Sequence, residues 1–237
     1  MRQRGFGLIE LCIGLALTTG LMILLVEHVR HTRVQYERIE TFMDESMTLQ
    51  WVSDLIRHSV QSAGFTPCLR VDHLISDQNG RSFSPLDVIP SPHARLTIRR
   101  MDEEVVRVLS IPSPLRVLVA SSHLRLNRPV IIADCYHAEV HALEAIQSTP
   151  SGSLLILKRP LQFTYDSTAY VGAWVVESFF IKNASLYYQQ TRVDGLSRRI
   201  VDFYATLSKQ HHQIFLKMRL KLQDGHAWSL DTMARAK

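Results

Sequence analysis

From Phe6 to Val26 the chain runs for 21 residues with one charge, Glu10, and no proline. A helix rises about 1.5 Å per residue, so this run matches the roughly 30 Å hydrocarbon core of a bilayer and is predicted to anchor the chain. Arg2 and Arg4 precede it, and the positive-inside tendency then holds the first residues in the cytoplasm and sends the remainder across the membrane. Ordinary signal-peptide removal is not expected, because no Ala occurs between Ala16 and Ala63 to supply an A-x-A site. Glu10 and Leu11 stand before Cys12 where a lipoprotein site needs small residues. Glu10 is the anomaly. An ionised carboxylate near the hydrocarbon is disfavoured by roughly 2.5 to 3.5 kcal/mol, so it needs a partner or a purpose beyond reaching the headgroups from a helix end.

After the anchor, apolar residues recur every three or four positions at Val34, Ile39, Phe42 or Met43, Leu49, Val52, Leu55 or Ile56, Val60 and Ala63. This spacing continues the helix amphipathically to about Ala63, a length on the order of 90 Å if straight. Gly64 and then Pro67 supply the stop. Residues 6–64 carry four Lys/Arg against seven Asp/Glu, whereas residues 65–237 carry 21 against 15. An acidic stalk therefore leads to a basic head large enough for one core.

Beyond Pro67 the pattern changes to short β-branched and apolar runs between turn residues. Strands are predicted at 94–99, 105–111, 115–120, 130–134, 154–157, 173–181, 186–190 and 214–222, mostly antiparallel. Val201 to Leu207 reads as a strand or a short helix. Asp72 to His93, with Asn79-Gly80, Pro85, Pro90 and Pro92, reads as loop.

Little in the head points to chemistry. No G-x-S-x-G elbow, Walker loop, H-E-x-x-H or dinucleotide fingerprint occurs, so neither enzymatic activity nor a cofactor is expected. Cys135, His137 and His141 form a C-x-H-x3-H spacing, but alternation along a strand puts residues 135, 137, 139 and 141 on one face without any metal. Short basic runs such as Arg99-Arg100 fit the exposed face or end of a strand, and direct nucleic-acid binding is not expected. Cys12 lies in the anchor as a small apolar residue. Cys68 and Cys135 lie beyond it, where disulfides form, and are either bridged or two separate buried thiols.

The basic leader ending in Gly5, the aromatic Phe6, Glu10 five residues into the chain that would follow, and the apolar helix together resemble the class III signal of type IV pilins and type II secretion pseudopilins. The segments "WVSDLIRHSVQSAGFTPC", "ARLTIRR", "VIIADCYHAEVHAL", "FFIKNASLYYQQ" and "RRIVDFYATL" resemble, in order, the stalk end and successive strands of PilW-type minor pilins; GspJ-type pseudopilins share that architecture. The chain departs from many major pilins in having no Pro in this helix.

The resemblance implies an α+β, type IV pilin-like fold, with a long N-terminal helix, transmembrane and then amphipathic, packed on a mostly antiparallel head. It divides the chain into leader 1–5, assembly segment 6–26, amphipathic helix 27–64 and periplasmic head 65–237. It further implies cleavage between Gly5 and Phe6, methylation at Phe6, an assembly role for Glu10 opposite a neighbour's N-terminal amine, and a Cys68–Cys135 disulfide. The expected partners are other minor pilins, the major pilin, a large tip adhesin, the prepilin peptidase and the inner-membrane assembly platform. A minor pilin passes from the inner membrane to the pilus tip, and the alternative is a pseudopilin of type II secretion.

Overall fold

A computed structural model describes residues 7–120, 123–166, 168–211 and 213–234. Gly5 and Phe6 lie outside the described residues. The chain forms two compact units, residues 1–51 and 52–237.

From Leu8 on, the described residues of the first unit form a single helix, the beginning of α1 (Leu8–Gln61). Its segment Leu8–Glu37 is long and apolar enough to cross a membrane, and fits a single-pass anchor. None of the helix-breaking residues that would interrupt it is present except Gly14 and Gly20, which a helix tolerates at about 1 kcal/mol each. The hydroxyls inside the span are satisfied locally: Thr18 donates to the Gly14 carbonyl at 3.0 Å and Thr19 to the Leu15 carbonyl at 2.8 Å. Such back-bonding removes the desolvation cost of a hydroxyl in an apolar medium. Val34, Ile39 and Met43, the apolar positions of the amphipathic stretch, are exposed.

In the second unit the last turns of α1 are buried along one face, with Val52, Ile56, Val60 and Ala63 at 0–1 % exposure. Gly64 ends the helix at φ +71°, and a Cβ there would stand 2.9 Å from the Pro85 Cβ, so glycine is required twice over. The Gly64 N–H then donates to the Arg99 carbonyl at 2.8 Å and the Met101 N–H to the Phe65 carbonyl at 3.0 Å, which zips the helix end to the sheet.

Among the described residues fifteen strands follow in chain order. They are β1 (Ile75–Asp77), β2 (Leu86–Ile89), β3 (Arg95–Met101), β4 (Val106–Ser113) and β5 (Arg116–Val119). Next come β6 (Val130–Ala133), β7 (His137–His141), β8 (Leu143–Thr149), β9 (Gly152–Leu157) and β10 (Tyr170–Lys182). The last are β11 (Ser185–Gln189), β12 (Val193–Ser197), β13 (Ile200–Gln210), β14 (Gln213–Leu222) and β15 (Ala227–Met233). Twelve form one sheet with a path β1-β7-β6-β10-β4-β5-β9-β8, and β13-β14-β15 form a second. Among the described residues every pairing is antiparallel except β1 with β7.

β10 organises the larger sheet. Its first residues pair with β6 and β4, and its later ones with β3 and β11. β6 is covered on both faces, Val130 and Ile132 joining one core cluster and Ile131 and Ala133 another. This explains its unbroken apolar sequence, since a strand buried on both sides has no polar face to alternate with. β14 alternates instead: Ile214, Leu216, Met218 and Leu220 are buried while Lys217, Arg219 and Lys221 are exposed.

One reading of the sequence is overturned and two are made specific. The segment Asp72 to His93, expected as loop, contains a 3-10 turn at Val71–His73 and the strands β1 and β2. Val201 to Leu207 is part of strand β13. The Arg99-Arg100 run, expected on the exposed face or at the end of a strand, lies near the end of β3 and is split between opposite faces: Arg99 pairs with Asp87, while Arg100 lies 3.1 Å from Glu177, whose side chain is almost wholly buried.

Candidate functional site

Glu10 sits in the first turn of α1 and accepts a hydrogen bond from the Gly7 N–H at 3.2 Å. A helix leaves its first N–H groups without intrahelical partners, so a carboxylate here is favoured both by that bond and by the helix dipole. The residues around it are exposed apolar side chains, Leu8, Ile9, Leu11 and Ile13 among them. The free thiol of Cys12 is exposed on the same stretch. A single carboxylate on an otherwise apolar exposed surface cannot perform hydrolytic or transfer chemistry alone. It can take up an opposite charge once that surface is covered.

At the other end of α1, Cys68 and Cys135 are joined, with Cα atoms 5.2 Å apart across 67 residues of sequence. The bridge links the loop after α1 to the turn between β6 and β7. That turn is shaped by Asp134, whose carboxylate accepts the N–H groups of Tyr136 at 2.7 Å and His137 at 2.6 Å. Beside the bridge, Arg70 and Asp72 form a buried pair with Nε to Oδ1 at 3.0 Å, close in distance though not aligned as a hydrogen bond. Arg70 also donates to the Ala234 carbonyl at 3.2 Å, and Lys209 lies 3.9 Å from Asp72. The loop is thus fastened to both sheets.

The Cys135, His137, His141 spacing does not assemble ligands. Cys135 is committed to the disulfide, the His137 ring stacks on Phe163 at 4.5 Å, and His141 Nε2 meets Glu139 at 2.9 Å. Among the described residues no group of three or more His, Cys, Asp or Glu side chains converges on a metal position.

Alternation does place His137, Glu139 and His141 on one face of β7, and here Glu139 proves to be the central residue. Its side chain is 0 % exposed. It accepts the Gln162 N–H at 2.9 Å and the Phe163 N–H at 2.7 Å besides facing His141. Burial alone would raise its pKa. The His141 hydrogen bond and the two backbone donors outweigh that and hold the carboxyl below its ordinary value. Burial, followed by the Glu139 charge, pushes the nearby Tyr165 hydroxyl well up.

A carboxylate so fully occupied is a poor general base. Its effect is to clamp the segment around Gln162 and Phe163 over the core that Val130 and Ile132 help to form.

Nothing in the local sequence marks Glu139 as buried, because its cover comes from 23 residues downstream. The charged concavity lined by Arg107, Arg125, Arg128, Asp102 and Glu104, about 560 Å³, carries both signs of charge and selects neither.

No family model, curated protein or solved structure matches the chain.

Proposed function

We propose that the chain is a minor pilin of a type IV pilus, a structural and interaction subunit of the PilW type that promotes the start of filament assembly and sits at or near the tip. The observation that carries this reading is α1 itself: Glu10 is the sole charge from Gly7 to Val26, it lies in the first turn, and the side chains around it are exposed and apolar. A helix of this kind is stable in a bilayer and equally suited to a dry bundle of similar helices, where Glu10 gains a cationic partner. Before assembly the anchor waits in the inner membrane with the head in the periplasm. The prepilin peptidase cuts between Gly5 and Phe6 and methylates the new amine at Phe6, and Glu10 neutralises the corresponding amine of a neighbour as the helices leave the lipid. Val34, Ile39 and Met43 extend the apolar contact to adjacent stalks. The head, fastened by Cys68–Cys135, meets other minor pilins, the major pilin and a large tip adhesin, and the assembly platform handles the membrane form.

The test is fractionation. Sheared pili from assembly-competent cells are expected to contain the chain at low abundance, and cells lacking it are expected to make few pili. A chain confined to membranes in cells that pilate normally without it overturns the reading. Loss of protein secretion with normal piliation assigns it to type II secretion as a pseudopilin.

A further inference from the structure

We infer that two copies of this chain pair through strand β15, joining their three-stranded sheets into one continuous antiparallel sheet. β15 is the outer strand of β13-β14-β15, bonded on one side to β14 in an unbroken register from Phe215 opposite Met233 to Lys221 opposite Ala227. The bonds from Ala234 N–H to the Ile214 carbonyl and from Leu222 N–H to the His226 carbonyl fix which residues face inward: the even-numbered ones bond β14. Ala227, Ser229, Asp231 and Met233 therefore turn their N–H and C=O groups away from the sheet, and all four are exposed. Among the described residues no hydrogen bond reaches those outward groups.

Proteins ordinarily guard such edges with proline, lysine, bulges or brevity. The other edges here are guarded. β1 has three residues, β2 lies between Pro85 and Pro90, β8 carries a bulge after Leu143, β12 has only five residues, and β13 has a bulge after Ile200. β15 has seven residues, no proline, no Lys or Arg, and no bulge.

The sequence of β15 selects a second copy as its occupant. A two-fold axis at Leu230 places Ala227 opposite Met233 of the partner subunit and Ser229 opposite Asp231 of the partner subunit. All four outward residues are then used, each pair exchanging two hydrogen bonds, about eight in total. The only charge on the strand meets a hydroxyl that can donate to it. Moving the axis to Asp231 sets two carboxylates face to face, and moving it to Ser229 leaves Met233 without an outward partner in β15. The interface is isologous and closed, so it yields a dimer and no open fibre. Trp228, 42 % exposed, lies at the same edge and gains cover in the pair. The pairing depends on this edge alone and stands apart from the filament reading.

The experiment uses full-length chains carrying Cys12→Ser, expressed with two different tags in the same membranes. One copy with Ser229→Cys and one with Asp231→Cys are expected to form an oxidative cross-link of twice the monomer mass. The paired Cα atoms would be about 5.5 Å apart, within disulfide range. Two Ser229→Cys copies are not expected to cross-link, because their Cα atoms would be displaced by two residues, beyond about 7 Å. Asp231→Pro removes an outward donor without touching the β14 ladder, so it is expected to reduce co-isolation of the two tags at least tenfold at unchanged thermal stability. Cross-linking of the Ser229→Cys pair as readily as the mixed pair overturns the inference, as does co-isolation that survives Asp231→Pro. An adduct with a different protein in place of the dimer assigns the edge to another partner and equally overturns self-pairing.

Discussion

Glu139 and His141 face each other at 2.9 Å on the interior side of β7, and the Phe163 N–H reaches the same carboxylate at 2.7 Å. Removing the carboxylate strands an imidazole and two backbone donors in a dry site. Glu139→Ala is therefore expected to destabilise the head by about 3 to 5 kcal/mol. Glu139→Gln, which keeps the shape and one acceptor, is expected to cost about 1 to 3 kcal/mol. Denaturant unfolding followed by the tryptophan signal measures both, and equal stabilities would contradict the clamp.

The same group predicts an acid dependence. Its folded pKa is lowered, so its stabilisation is complete above the unfolded carboxyl value of about 4.3 and is lost as pH falls through the lower folded value. Wild type is expected to lose more stability than Glu139→Gln between pH 5 and the strongly acidic range, in about the ratio of one titrating group. Parallel stability curves for the two proteins would show that Glu139 contributes nothing through its charge.

The bridge from Cys68 to Cys135 closes 67 residues of chain, and restricting the unfolded ensemble over such a loop is worth about 4 kcal/mol in the chain-entropy account. The double variant Cys68→Ala/Cys135→Ala is expected to lose about 2 to 4 kcal/mol of head stability and to become protease-sensitive after α1. Non-reducing peptide mapping of the protein isolated from membranes checks the pairing itself. Two free thiols there would refute it.

Glu10→Ala is expected to leave membrane insertion and leader cleavage intact and to impair incorporation into filaments. Removing a charge from an apolar run favours residence in the bilayer, while a neighbour's amine loses its partner in a dry bundle, where an unpaired charge is strongly disfavoured. The comparison is abundance in membranes against abundance in sheared pili. A correctly processed variant that reaches pili at wild-type levels would make Glu10 merely a tolerated membrane residue.

Much of the architecture was legible where a single physical demand dominates a segment. The apolar run through Val26 demands a helix, Gly64 demands its end, and the alternation in β14 demands a strand with one wet face. Strands made by distant pairing were not legible. β1 has three residues and exists because Ile75 to Asp77 lie parallel to His137 to Glu139, while β2 is framed by prolines that signal loop. β8 and β15 are absent from the predicted strands, since each is an edge strand with few buried residues and no clean apolar alternation. Alternation put Glu139 on one face of its strand with His137 and His141 but left open which way that face turns, and only the segment containing Gln162 and Phe163, folded back over it, makes it interior. The disulfide was named through resemblance, since spacing alone left two thiols as good a reading.

The central claim concerns the first residues of the mature chain, and intact-mass measurement with N-terminal sequencing of the membrane form tests it most directly. The protein is expected to begin at Phe6 with a methylated amine in cells with active prepilin peptidase, and to keep Met1 to Gly5 when that peptidase is absent. A chain that retains Met1 to Gly5 in the presence of the active peptidase contradicts the pilin account.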